Sequence, residues 1–139
     1  MSNKKFLDVL STNFRHEKSF LIEEKLNNFE KVSKLKDDEL NQIQKASPLC
    51  TSNNLKKIRA IAIFVNELSI SPYEAQLLLH CGISSIKSLS RLNPNEVKDR
   101  IGRLERILRV KTKNKISLPI LKNWIRKADQ INKSSLNLG

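Results

Sequence analysis

Aromatic side chains are scarce in this 139-residue chain, at 5% of positions, with one Trp and one Tyr. A core must therefore be filled mainly by Leu and Ile, and base stacking on aromatic platforms has little to work with. Glycine (three) and proline (four) are almost as rare. All-β architectures turn often and lean on both residues, so their scarcity points to helices. Two cysteines, Cys50 and Cys81, are too few for a disulfide framework and make a reducing cytoplasm the expected compartment. No run nears the ~18 apolar residues of a membrane span; IAIFV is among the longest. The opening MSNKKFLDVLSTNF has neither a long apolar core nor a small-residue cleavage site, so no secretory signal is expected. A P-loop, a Gly-x-Gly-x-x-Gly turn, a nucleophile elbow and a His-Glu-x-x-His helix are all missing, so no enzyme and no cofactor is expected.

What the chain has in excess is positive charge. The formal net charge is +12, and it is unevenly placed. Residues 1–86 hold 12 Lys/Arg against 10 Asp/Glu, whereas residues 87–139 hold 14 against 4, a net +10. Such asymmetry suits a polyanionic partner for the C-terminal half: nucleic acid, an acidic protein or an anionic membrane. The plain alternative is a solvated surface that serves solubility.

The chain also repeats itself. With HEKSFLIEEKLNNFEKVSKLKDDEL (16–40) above YEAQLLLHCGISSIKSLSRLNPNEV (73–97), Leu21 falls on Leu78, Leu26 on Ile83, Val32 on Leu89, Leu35 on Leu92 and Leu40 on Val97 without a gap. The second copy is then about nine residues longer. The register recovers where Leu55, Ile58, Ala62 and Val65 answer Leu121, Trp124, Ala128 and Ile131. A small unit that cannot bury its apolar face alone gains a core by pairing with its copy.

The punctuation is helical. Ser71-Pro72-Tyr73-Glu74 carries a capping serine, a proline where no donor is needed and a glutamate three residues on. Gly82 suits the left-handed turn that ends a helix, and Ile83 then tucks inward. Ser85 to Leu92 reads as a short helix, and Asn93-Pro94-Asn95-Glu96 repeats the start signal. Val97, Ile101, Leu104 and Leu108 line one face of the next helix. A linker is expected around Lys111 to Lys115, with Pro119 opening the last helix ahead of Leu121, Trp124, Ile125 and Ala128. The first copy is weaker: Lys25 stands for the glycine and Lys36 for the asparagine cap. A further helix is expected from about Lys4 to Thr12. The expected fold is all-α, with units at 1–69 and 70–133 packed into one compact helical body and a flexible tail at 134–139.

The pattern LLxxCGISSIKSLSRLNPNEV, a basic stretch and SLPILKNWIRKADQI resemble a bacterial domain-of-unknown-function family related to helix-hairpin-helix domains. The matching positions are Gly82, Ile83, Ser88, Leu89, Leu92, Pro94, Val97, Trp124, Ile125 and Ala128, over about residues 71–132 with a degenerate copy upstream. The resemblance implies two tandem helix-hairpin-helix-like (SAM-like) units. It also implies DNA binding without sequence preference, through backbone N–H groups of a hairpin that usually carries two glycines. Here Gly82 stands alone, Gly102 lies inside an expected helix and the first copy has none, which puts that phosphate cradle in doubt.

The candidate site is therefore the basic surface. Arg100, Arg103, Arg106 and Arg109 recur every three residues, a spacing that drifts about sixty degrees backwards per step and wraps the outer face of a helix. Lys111, Lys113 and Lys115 follow, and Lys122, Arg126 and Lys127 lie on the last helix. The expectation is a non-catalytic nucleic-acid-binding accessory protein (DNA or RNA) that grips phosphates with little sequence selectivity. The alternative is an adaptor whose basic face docks an acidic protein. Membrane binding is disfavoured, since no exposed Trp or Phe is expected on a basic amphipathic helix. Four residues, His16, Cys50, His80 and Cys81, are the only His and Cys present, and adjacent His80 and Cys81 point to different helix faces, so no metal is expected. Cys81 reads as a small buried residue, with His80 at the surface. The acids Asp37, Asp38 and Glu39 fit a helix start, where the dipole favours negative charge.

Overall fold

The structure, a computed structural model, describes residues 14–26, 28–108 and 116–138. Among them are eight α-helices and no strand: α1 (Arg15–Glu23), α2 (Phe29–Ser33), α3 (Asp37–Ala46), α4 (Ser52–Leu68), α5 (Pro72–His80), α6 (Ile86–Ser90), α7 (Pro94–Leu108) and α8 (Leu118–Leu138). The fold is all-α. The expected helix from Lys4 to Thr12 and the linker at Lys111 to Lys115 lie outside the described residues. The last helix continues to Leu138, beyond the boundary expected at 133. The chain divides into two compact units, Met1–Ala75 and Gln76–Gly139, and the division falls inside α5.

Three of the four pairs of corresponding helices start at one spacing. Arg15 and Pro72, which begin α1 and α5, are 57 residues apart, as are the starts of α2 and α6 and of α3 and α7. The starts of α4 and α8 are 66 apart. The reason lies in local hydrogen bonds at matched positions. Asn28 Oδ1 accepts from the Lys31 N–H at 2.8 Å and starts α2; Ser85 Oγ accepts from the Ser88 N–H at 3.0 Å and starts α6. Both residues are extended, which leaves the side chain free to reach an otherwise unpaired donor. Ser71 and Glu74 form the full reciprocal capping box expected of them, at 2.9 and 3.1 Å.

Helices α1 and α5 end in the same turn. The Ile83 N–H donates to the Leu78 carbonyl and the Gly82 N–H to that of Leu79, both at 3.0 Å, with Gly82 at φ +85°. The Leu26 N–H donates to the Leu21 carbonyl at 2.8 Å and the Lys25 N–H to that of Ile22 at 3.1 Å, with Lys25 at φ 59°. This six-to-one, five-to-two pair satisfies the last carbonyls of the helix and folds the following apolar residue back onto it. Lys25 thus takes the left-handed conformation that a glycine would take more cheaply.

In the first unit α2 and α3 pack on α4, which buries Leu55, Ile58, Ile61 and Ala62 with Leu21, Val32 and Leu40. In the second unit α6 and α7 pack on α8, where Leu121, Trp124 and Ala128 are buried with Leu78, Ile83, Leu89, Val97 and Ile101. Each fully buried Leu or Ile contributes roughly 1.5–3 kcal/mol by leaving water. Leu104 and Ile125, expected on core faces, are only half-buried. Cys81 is likewise half-buried; the thiol with no exposure is that of Cys50.

Candidate functional site

Helix α7 presents two different environments to its three described arginines. Its start is capped by the Asn93 side-chain oxygen, which accepts from the Glu96 N–H at 2.9 Å. With Val97 and Ile101 turned into the core, Arg100 falls beside them and is half-buried. Its Nη2 meets Glu96 Oε2 at 2.8 Å and its Nη1 donates to the Cys81 carbonyl at 3.3 Å. It therefore braces α7 against the end of α5 within the second unit. About 600° of rotation farther on, Arg106 stands on the outer face, and Arg103 lies between them; both are exposed.

Arg103 and Arg106 share an open depression of about 460 Å³ with Lys98, Asp99 and Gly102. No ion pair or hydrogen bond engages Lys98, Arg103 or Arg106 among the described residues. Gly102 leaves the floor bare: a Cβ built there meets only Arg106 Nη1, at 3.7 Å. Ile107, beside these cations in sequence, is 77% exposed.

On α8 the buried stripe of Leu121, Trp124 and Ala128 turns Lys122 and Arg126 to solvent one helical turn apart. Arg126 Nη2 donates to Asn123 Oδ1 at 2.8 Å, and Lys127 is half-buried. Arg109, Lys111, Lys113 and Lys115 lie outside the described residues. Of the expected cations, then, Arg103 and Arg106 are brought together, Lys122 and Arg126 align along α8, and Arg100 is engaged internally. Lys98 was not among the expected site residues. The signal for it was present, because Lys98, Gly102, Arg103 and Arg106 fall on one side of a 3.6-residue helix.

Burial pushes the Cys81 thiol up from its ordinary value, and the Arg100 and Arg103 charges pull it back in part. Burial likewise raises Cys50, whose Sγ lies 3.5 Å from the His16 carbonyl oxygen and from Ser47 Oγ. Both cysteines are free. His80 is exposed, and among the described residues no group of three His, Cys, Asp or Glu side chains is placed to hold a metal ion. No described helix is long and apolar enough to cross a membrane.

The family described as "Domain of unknown function (DUF4332)" matches residues 12–131. The chain belongs to this family. The match runs from before α1 into α8 and so takes in both units of this DUF4332 protein. No curated protein and no solved structure is significantly similar to the chain.

Proposed function

We propose that this DUF4332 protein is a non-catalytic nucleic-acid-binding accessory protein that grips DNA or RNA phosphates through the basic surface of its second unit. The observation that carries the reading is the depression on α7, where Lys98, Arg103 and Arg106 stand without ion-pair partners among the described residues. Lys122, Arg126 and Lys127 extend the positive charge onto α8, and Arg109, Lys111, Lys113 and Lys115 extend it along the chain. Arg100 belongs to the same surface by sequence but acts first as a brace. The two units are read as copies of one helix-hairpin-helix-like element, a reading supported by the 57- and 66-residue offsets and the matched turns at Lys25 and Gly82. Two free thiols fit a reducing cytoplasm.

Fluorescence-anisotropy titrations with duplex DNA, single-stranded DNA and RNA at two salt concentrations test the proposal. With about four phosphate contacts, a roughly fourfold rise in salt weakens duplex binding on the order of 10²-fold. Absence of binding at low salt overturns it.

The exposed Ile107 favours a second reading, an adaptor docking an acidic protein, because an apolar side chain among cations suits a protein surface better than a phosphate chain. Partners that survive nuclease treatment on co-purification would favour the adaptor.

A further inference from the structure

A phosphate can be held by backbone N–H groups or by side-chain cations, and the two routes predict different contact points. At the α5–α6 hairpin the amides of the turn around Gly82 are already engaged. The N–H groups of Cys81, Gly82 and Ile83 donate to the carbonyls of Leu77, Leu79 and Leu78 at 3.0 Å, closing the end of α5. The single glycine there provides the left-handed turn, not a surface for close approach.

The outer face of α7 offers the other route. Lys98, Arg103 and Arg106 surround a depression floored by Gly102, whose missing side chain lets a ligand come down to the helix. Arginine forks bind phosphate oxygens two at a time, and lysine adds a mobile point charge. Asp99 on the same rim opposes a fully dianionic group, so the site suits a singly charged phosphodiester over a terminal phosphate monoester. Its volume of about 460 Å³ exceeds that of a bare ion and accommodates a phosphodiester with its flanking sugars.

Resting on the nucleic-acid reading above, we infer that the α7 depression of Lys98, Gly102, Arg103 and Arg106, and not the hairpin at Gly82, is the seat of a backbone phosphodiester. Gly102 is part of the site because a long side chain there would reach into the depression beside Arg106.

The chain has only three glycines, and glycine amides occupy their own region of a ¹⁵N–¹H spectrum, so the two sites can be read separately. A short mixed-sequence duplex is titrated into the full chain at low salt, in parallel with anisotropy measurements on Gly102→Glu. The expected result is a shift of the Gly102 signal with Gly82 unmoved. Gly102→Glu, which places a carboxylate in the depression while improving helix propensity, weakens binding about tenfold or more without lowering the melting temperature. A duplex that binds while the Gly102 signal stays still overturns this inference and leaves the nucleic-acid reading standing. So does unaltered affinity in Gly102→Glu. If the duplex does not bind, single-stranded DNA and RNA are titrated in its place, and no binding of any of the three at low salt overturns both. Should the variant fail to fold, the wild-type titration decides alone.

Discussion

Lys25 sits where an L-residue is disfavoured. Its φ of 59° places Cβ against the following carbonyl, whereas Gly82, in the equivalent turn, has no Cβ to clash. Lys25→Gly is therefore expected to stabilise the first unit by about 1 kcal/mol, seen as a raised denaturation midpoint in urea. Gly82→Ala should do the reverse by a similar amount; a Cβ there meets nothing within 4 Å, so the loss is one of backbone conformation and not of packing. The thiols separate on the same residue scale. Burial raises both thiols, but only Cys50 has no exposed surface, so a maleimide should label the half-buried Cys81 first. Mass spectrometry of the native protein should show one modification before the second, with both appearing together in denaturant.

Between elements, the first unit depends on a clasp from α4 to the start of α3. Arg59 Nη2 lies 2.7 Å from Asp37 Oδ1, and Nη1 donates to the Leu35 carbonyl at 3.1 Å. The Arg59 hydrogen bond, and then its charge, hold the Asp37 carboxyl below the usual carboxylate range. A carboxyl with a folded value below its unfolded value binds fewer protons in the native state. Its contribution is present above about pH 4, near the unfolded value, and fades as pH falls through the folded one. Arg59→Met should thus lower the melting temperature at neutral pH, and the gap from wild type should narrow as pH falls below about 4. A gap that stays constant down to acid pH contradicts an ionic contribution. Most of the helix boundaries were legible in the sequence, because caps such as Ser71 with Glu74 or Asn93 with Glu96 are completed within three residues. The clasp was not, since Asp37 and Arg59 meet only when α3 folds onto α4. The same holds for Glu17, which looks like an ordinary helix-start acid; it is buried, and its Oε2 accepts from the Thr51 N–H at 2.9 Å to support the start of α4.

Over the whole molecule the division into units coincides with the division of charge. No Lys, Arg, Asp or Glu lies between 76 and 86, so the unit from Gln76 carries the same net +10 counted for residues 87–139. Phosphate binding by that unit has a signature in salt dependence. Arg103→Gln and Arg106→Gln should each reduce the slope of log K against log salt by about 1, uniformly across DNA sequences. Arg100→Met should leave the slope near its wild-type value and lower the melting temperature, because Arg100 is engaged with Glu96 and the Cys81 carbonyl. An Arg100 variant that changes the slope as much as Arg106→Gln does would contradict the division of labour.

The sequence by itself determined the helices, the spacing at which they recur and the sign of the second unit's charge, since each follows from neighbours a few residues apart or from composition alone. Arg59, Glu17 and Arg100 took their roles only from tertiary structure. A clasped carboxylate, a buried cap and an internally paired arginine all depend on how one segment closes on another. The arginines of α7 carry the point furthest. They read alike at three-residue intervals, and only the packing of Val97 and Ile101 into the core turns Arg100 inward while leaving Arg103 and Arg106 to solvent.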